Sequence, residues 1–260
     1  MNIINKKEPP IYNLKPVFCF TSDMDWASEA ALTNLQEIFD LYDIHATYFA
    51  THESSLINKW YKEKKIDVGI HPNFLPESSH GNSFKKVIDT VMKFAPQARC
   101  FRSHRCFDAT PVTHALAERG ILYDSNMITN LQQGIMPIKH ESGLIRFPVF
   151  YEDGTHFEWR RSWDFGKYAE LFGYPGIKII SIHAMITALN VTTSEYWAQL
   201  KVKFPPDRWI NMSKNEITEN ICVNPGPRQF LKDMIEYIKT NNHAIMTMEE
   251  LYQYYIDNEA

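Results

Sequence analysis

The chain of 260 residues is long enough to bury the core of one large domain, and no linker divides it, so residues 1–260 are predicted to form a single catalytic domain. Hydrophobic residues make up 44% of the chain and charged residues 22%, which excludes extensive disorder. The net charge of -4 offers no excess of cations, so nucleic acid is not an expected partner.

The N-terminal segment, residues 1–16, lacks the apolar stretch of a secretory signal, and no apolar run elsewhere is long enough to span a bilayer. The sequence therefore predicts a cytoplasmic protein without a transmembrane segment, and it leaves the oligomeric state open. Four cysteines lack paired spacing and are predicted to be reduced, buried side chains without a chemical role: Cys19, Cys100, Cys106 and Cys222.

Short apolar runs alternate with amphipathic segments along the chain. The apolar runs predict strands at 17–21, 45–50, 66–70, 98–102, 121–125, 144–150, 177–183 and 244–247. Apolar residues at helical spacing predict helices at 28–42, 54–65, 83–95, 111–120, 227–240 and 248–255. About seven strand-helix units indicate the α/β class, with a parallel sheet closed into a distorted (β/α)7-type barrel.

Polar side chains follow several of these strands at their carboxyl ends. They are Asp23 and Asp25 after the first strand, His71 after the third, Arg102 and His104 after the fourth, and His183 after the seventh. Because the carboxyl ends of parallel strands meet at one edge of the sheet, these side chains are expected to converge. Acids and histidines together are typical of a metal site.

Each of these residues also has a structural interpretation. Asp23 and Asp25 point the same way in extended chain and can share one pocket, although an acidic pair also begins turns and caps helices. His71 precedes Pro72 on a constrained turn, and His183 ends the most apolar strand, where a titratable group is costly to bury. Arg102 can orient a carboxylate or form a surface ion pair.

The order of these motifs resembles the polysaccharide deacetylase family, also called the NodB-homology domain or carbohydrate esterase family 4. The resemblance extends from residue 17 to about residue 253. It is carried by five segments: Thr21-Ser22-Asp23-Met24-Asp25, Ala46-Thr47-Tyr48-Phe49, Gly69-Ile70-His71, Phe101-Arg102-Ser103-His104 and Ile180-Ser181-Ile182-His183. The C-terminal segment MTMEELYQYY also resembles the family's final helix.

The resemblance implies a role for each residue of these motifs. Asp23 would be the general base and His183 the general acid, and Arg102 would orient Asp23. Asp25 and His71 would bind a divalent metal ion, with zinc expected and cobalt, nickel or manganese as alternatives. The family also implies a carboxylate that tunes the catalytic histidine, for which Asp153 is favoured over Asp164 and Asp124.

One departure from the family concerns the third metal ligand. The family places a second histidine four residues after His71, where this chain has Leu75. We expect His80 to replace it, while His104 and Asn73 compete for the role and are otherwise expected to contact the substrate. A long aromatic insert at about 187–227 contains Trp197, Phe204 and Trp209, which could stack on a sugar or simply pack.

The resemblance implies a metal-dependent carbohydrate deacetylase. The leading hypothesis is removal of an N-acyl group, with acetyl expected, from a sugar in a precursor of a surface glycan. The substrate would be an N-acylated sugar, a nucleotide sugar or an oligosaccharide. The alternative is a catalytically silent sugar-binding or scaffold protein with the same fold, since the acidic motif and the second histidine depart from the family pattern.

Overall fold

A computed structural model describes residues 8–259 of the chain. In this part the strands are β1 (Pro16–Asp23), β2 (Thr47–Ala50), β3 (Asp67–Ile70), β4 (Cys100–Phe101), β5 (Tyr123–Asp124), β6 (Ile138–Lys139), β7 (Ile145–Arg146), β8 (Val149–Glu152), β9 (Gly176–His183) and β10 (Ala244–Ile245). The helices are α1 (Glu29–Leu41), α2 (Ser55–Lys62), α3 (Phe84–Phe94), α4 (Thr110–Ala117), α5 (Asp153–Glu158), α6 (Ala169–Gly173), α7 (Ala184–Leu189), α8 (Ser194–Lys203), α9 (Pro206–Trp209), α10 (Lys214–Glu219), α11 (Pro227–Thr240) and α12 (Met248–Glu259).

The strands form one curled sheet in the order β6-β7-β5-β4-β3-β2-β1-β9-β8, and β10 pairs with β1. The strand pairs of the described residues are parallel except β6–β7. Residues 127–131 hydrogen-bond along β8, as shown by the Val149 N–H, which donates to the Met127 carbonyl at 2.7 Å. This arrangement confirms the predicted α/β class and the distorted, barrel-like sheet.

Two local predictions differ from the structure. The sequence predicts one strand at 144–150, but the structure divides it into β7 and β8. Pro148 lies between them and has no N–H to donate to a neighbouring strand, which explains the break. The sequence also misses α5, which starts directly after β8 because the Glu152 side chain accepts a hydrogen bond from the Thr155 N–H and caps the helix.

The predicted helices form where an apolar stripe can face the sheet. In α1 the Ser28 hydroxyl accepts a hydrogen bond from the Ala31 N–H, and this cap starts the helix. The buried apolar residues of α1 are Ala31, Leu32, Leu35, Ile38 and Phe39. Burial of each larger side chain stabilises the fold by about 1.5–3 kcal/mol. None of the helices between residues 8 and 259 combines the length and apolar character that crossing a bilayer requires.

Gly69 in β3 lets two side chains under the site approach the backbone closely. A Cβ atom on Gly69 would lie 2.6 Å from ring atoms of Phe49 and 2.7 Å from the Cys100 sulfur. We expect Gly69→Ala to lower the free energy of unfolding by about 1–3 kcal/mol, because the Phe49 ring must move in a packed core. Urea denaturation measures this change.

The exposed Gly166 provides the matched control for this substitution. A Cβ on Gly166 would meet only the Asp164 side chain, at 3.2 Å, so Gly166→Ala should change the free energy of unfolding by less than about 0.5 kcal/mol. An equal effect of the two substitutions would contradict the packing argument.

Candidate active site

Strand register brings the predicted base and acid together. Asp23 is the last residue of β1 and lies opposite His183, the last residue of β9, in a parallel pairing. On the other side of β1, Ile70 of β3 lies opposite Phe101 of β4. His71 and Arg102 follow these two residues, so they leave the sheet at the same edge. The register of the parallel strands therefore brings these side chains together, as their positions at the strand ends predicted.

A tight turn after β1 sets the position of the Asp25 side chain. Asp25 and Trp26 both have left-handed backbone conformations, with φ of 45° and 55°, which non-glycine residues adopt only at a cost. The Met24 N–H donates to the Phe49 carbonyl at 3.1 Å, and the Trp26 N–H donates to the Thr51 hydroxyl at 3.0 Å. These hydrogen bonds to β2 and its extension hold the strained turn in place.

Asp25 lies between two histidines. Its Oδ1 atom is 3.1 Å from Nε2 of His71 and 2.8 Å from Nδ1 of His104. Burial raises the pKa of Asp25, but hydrogen bonds from His104 and His71 outweigh burial and hold that pKa well below its usual value. The ligand atoms of these three residues all lie within 4.8 Å of one another. One carboxylate and two imidazoles fit a zinc-type ion, and they leave positions open for water and substrate.

His80, predicted as the third ligand, does not face this cluster. Its Nδ1 accepts a hydrogen bond from the Asn73 N–H at 3.0 Å, and its Nε2 lies 2.7 Å from the Thr51 carbonyl, to which it can donate. Both ring nitrogens of the buried His80 are therefore engaged with backbone. Of the three candidates for the third ligand, the structure places His104 beside Asp25, whereas His80 supports the loop after His71.

Because His104 lies beside Asp25 and His80 does not, we expect different metal affinities for variants of these two histidines. We expect His104→Ala to weaken zinc binding by at least about 100-fold, because a ligand is lost. His80→Gln should weaken it by no more than about tenfold, since His80 acts only on the supporting loop. Competition with a chromophoric chelator measures both affinities. Similar losses in the two variants would contradict the assignment of His104.

Arg102 is fully buried and orients Asp23. Its Nη1 donates to Asp23 Oδ1 at 2.8 Å and to the hydroxyls of Thr21 and Ser181 at 3.0 Å. The other nitrogens donate to the backbone carbonyl and hydroxyl of Ser125. The guanidinium also lies over the Phe49 ring, 4.6 Å from its centroid. Burial raises the pKa of Asp23, but the charges of Arg102, His71 and His183 together outweigh burial and keep that pKa below its ordinary value.

His183 is oriented by Asp153. The His183 Nδ1 lies 2.6 Å from Asp153 Oδ1, and the His183 backbone N–H donates to Asp153 Oδ2 at 2.8 Å. Burial lowers the pKa of His183, but the charge and the hydrogen bond of the Asp153 carboxylate raise that pKa well above its ordinary value. The two other candidates for this carboxylate are engaged elsewhere: Asp164 caps a 3₁₀ turn and Asp124 pairs with Arg146 at 3.1 Å.

A cleft of about 340 Å³ is lined by the acids, histidines and arginine of the site: Asp23, Asp25, His71, Arg102, His104 and His183. The His183 Nε2 atom lies 3.8 Å from Asp23 and 3.6 Å from Asp25, so His183 is next to both carboxylates. Asn73, predicted to contact substrate, lines an adjoining groove, where its side-chain oxygen accepts a hydrogen bond from the Leu75 N–H. The groups of the cleft can activate water, polarise a carbonyl oxygen and protonate a leaving group.

The insert at 187–227 also contributes to the site. It folds into α8, α9 and α10 after the end of α7. Trp197 lines the main cleft, while Phe204 and Trp209 line the adjoining groove. Lys201 of α8 lies in both. It was not predicted, because the insert does not follow the strand-end pattern. Glu152 was also missed, although it directly precedes Asp153 at the end of β8.

The fold is that of the polysaccharide deacetylases. A family model described as "WbmS-like: Polysaccharide deacetylase" matches residues 20–201, which is more than half of the chain. The chain therefore belongs to the WbmS-like polysaccharide deacetylase family. No curated protein matches the sequence.

Several solved structures are similar to this chain. A Bordetella bronchiseptica protein, assigned to the polysaccharide deacetylases and to O-antigen biosynthesis, superposes with a TM-score of 0.74 at 23% identity, over 85% of this chain and 89% of that chain. A 4-alpha-glucanotransferase from Thermococcus litoralis gives 0.51 at 11% identity, over 92% and 38%. A Bacillus anthracis protein described as a pseudoenzyme of carbohydrate esterase family 4 gives 0.46 at 14% identity, over 90% and 64%.

Proposed function

We propose that the protein is a metal-dependent hydrolase that removes an N-acetyl group from a sugar in a precursor of a surface glycan. The observation that carries the proposal is the placement of a buried carboxylate and an imidazole held by a second carboxylate next to one metal-type cluster. Asp23 is fixed by Arg102 and His183 by Asp153, and both face the cluster of Asp25, His71 and His104. The O-antigen assignment of the Bordetella protein supports the choice of a surface-glycan precursor.

Different residues of the chain have separate roles in the proposed reaction. A divalent cation bound by Asp25, His71 and His104 would lower the pKa of a water molecule and polarise the acetyl carbonyl. Asp23 accepts the proton of the attacking water, and Arg102 keeps Asp23 ionised and in one orientation. His183 donates its Nε2 proton to the sugar nitrogen as the C–N bond breaks, while Asp153 holds the other ring nitrogen.

The proposal is tested by acetate release from N-acetylated monosaccharides, oligosaccharides and nucleotide sugars. We expect the protein loaded with about one equivalent of zinc to release acetate from at least one of them, and a chelator to stop the release. Adding zinc back should restore the rate. A protein that binds sugar but neither retains zinc nor releases acetate would instead be the catalytically silent binding protein.

A further inference from the structure

Lys201 is a cation that the proposed reaction does not use, although it lies at the site. It projects from α8 of the insert into the main cleft, the adjoining groove and a small chamber of about 130 Å³ between them. All three cavities also include Asp25 on their walls. Lys201 therefore lies beside the cluster from which the acetyl group would be removed.

Two indole rings hold the Lys201 ammonium group in position. Its Nζ atom is 3.9 Å from the ring centroid of Trp209 and 4.6 Å from that of Trp197. The two rings meet edge to face, with centroids 5.1 Å apart, and Trp209 is buried. Cation-π contacts of this kind fix the direction of the charge without neutralising it. The ammonium group is thus positioned rather than free in solvent.

The Asp25 carboxylate acts on the Lys201 ammonium group through its charge, from beyond ion-pair distance. No Asp or Glu oxygen within residues 8–259 forms an ion pair with Lys201. Asp25 is the one acid among the residues that line the small chamber. A cation bound at Asp25, His71 and His104 would engage this carboxylate, so the charge of Lys201 would remain for a ligand.

We propose that Lys201 binds a negatively charged group of the acetylated sugar, either a carboxylate or a phosphate, and so selects anionic substrates. This inference rests on the proposed function and narrows its substrate class. The anion would occupy the small chamber, between the turn at Asp25 and the aromatic pair of Trp197 and Trp209. There the ammonium group donates charge-assisted hydrogen bonds, which are stronger than hydrogen bonds between neutral groups.

The test compares binding of matched ligands by titration calorimetry. The ligands are methyl N-acetylglucosaminide, the methyl glycosiduronate of the same sugar, and UDP-N-acetylglucosamine. They are titrated into zinc-loaded protein that carries Asp23→Asn, so that hydrolysis is slow during the measurement. We expect the glycosiduronate or the UDP-sugar to bind at least about tenfold more tightly than the neutral sugar, and the tighter anion identifies the source of the charge. The preference should weaken as salt is raised.

Three further variants separate charge from structure. Lys201→Met should remove the preference for the anion while changing neutral-sugar binding less than about twofold, and Lys201→Arg should keep the preference. Lys203→Met, on the same helix, should behave like the parent because the Lys203 ammonium bonds to Asn220 instead.

Either of two results would overturn the role of Lys201. One is that no anionic ligand binds more tightly than the neutral sugar. The other is that Lys201→Met weakens the binding of neutral and anionic ligands equally. Failure of the hydrolase proposal would appear separately, as no acetate release by the protein with Asp23 intact.

Discussion

Replacing Asp23 by Asn is expected to lower the rate of acetate release by about 10² to 10⁴-fold, because the site then lacks a group that accepts the proton of the attacking water. Asn has nearly the same shape as Asp but cannot take up that proton at neutral pH. Zinc binding should persist, since Asp25, His71 and His104 are unchanged. Acetate release and zinc content, measured on the same preparation, report the two properties separately.

The control for this experiment is Asp164→Asn. Asp164 is exposed and its side chain only caps a short 3₁₀ turn, so the rate should change less than about twofold. Thermal unfolding of both variants excludes a rate loss caused by misfolding. If Asp23→Asn retained a rate within tenfold of the parent protein, Asp23 would not be the general base.

Replacing Arg102 by Met is expected to lower the free energy of unfolding by about 3–5 kcal/mol. The substitution leaves the Asp23 carboxylate buried without its charged partner and removes the donor that the hydroxyls of Thr21, Ser125 and Ser181 bind. Unpaired groups of this kind keep the cost of desolvation without a compensating bond. The loss is measured by urea denaturation with circular dichroism.

Arg99→Met provides the matched control. Arg99 lies three residues away and also pairs with an acid, Glu249, but its side chain is 45% exposed. Exposed ion pairs contribute about 0–1 kcal/mol, so this variant should unfold close to the parent. A similar loss in both variants would mean that burial of Arg102 is not what makes its contacts important.

The parallel strands made most of the site predictable from the sequence. Each of Asp23, His71, Arg102 and His183 directly ends or follows an apolar run, and parallel pairing then brings the ends of those runs to one edge. The period of apolar residues likewise indicated the long helices, and 227–240 coincides with α11. Both predictions depend only on local sequence and on the rule that the carboxyl ends of parallel strands meet at one edge of the sheet.

The position of His104 beside Asp25 could not be predicted in the same way, because it depends on the path of a loop. His104 reaches Asp25 through a 3₁₀ turn in which Arg105 and Cys106 have φ of 56° and 49°. No glycine marks those left-handed positions in the sequence, so nothing local indicates the turn. His80 was preferred for its nearness along the chain to His71, whereas its ring nitrogens are engaged with backbone. Lys201 was not predicted either, because it lies in the insert at 187–227 and not at the end of a strand.

The strained turn after β1 also has an optical consequence. Trp26 places its indole ring against His104, with ring centroids 5.2 Å apart and the rings nearly perpendicular. A cation bound at His104 would change the electric field at the indole. The emission of Trp26, isolated by subtracting the signal of a Trp26→Phe variant, would therefore report occupancy of the cluster without an added dye.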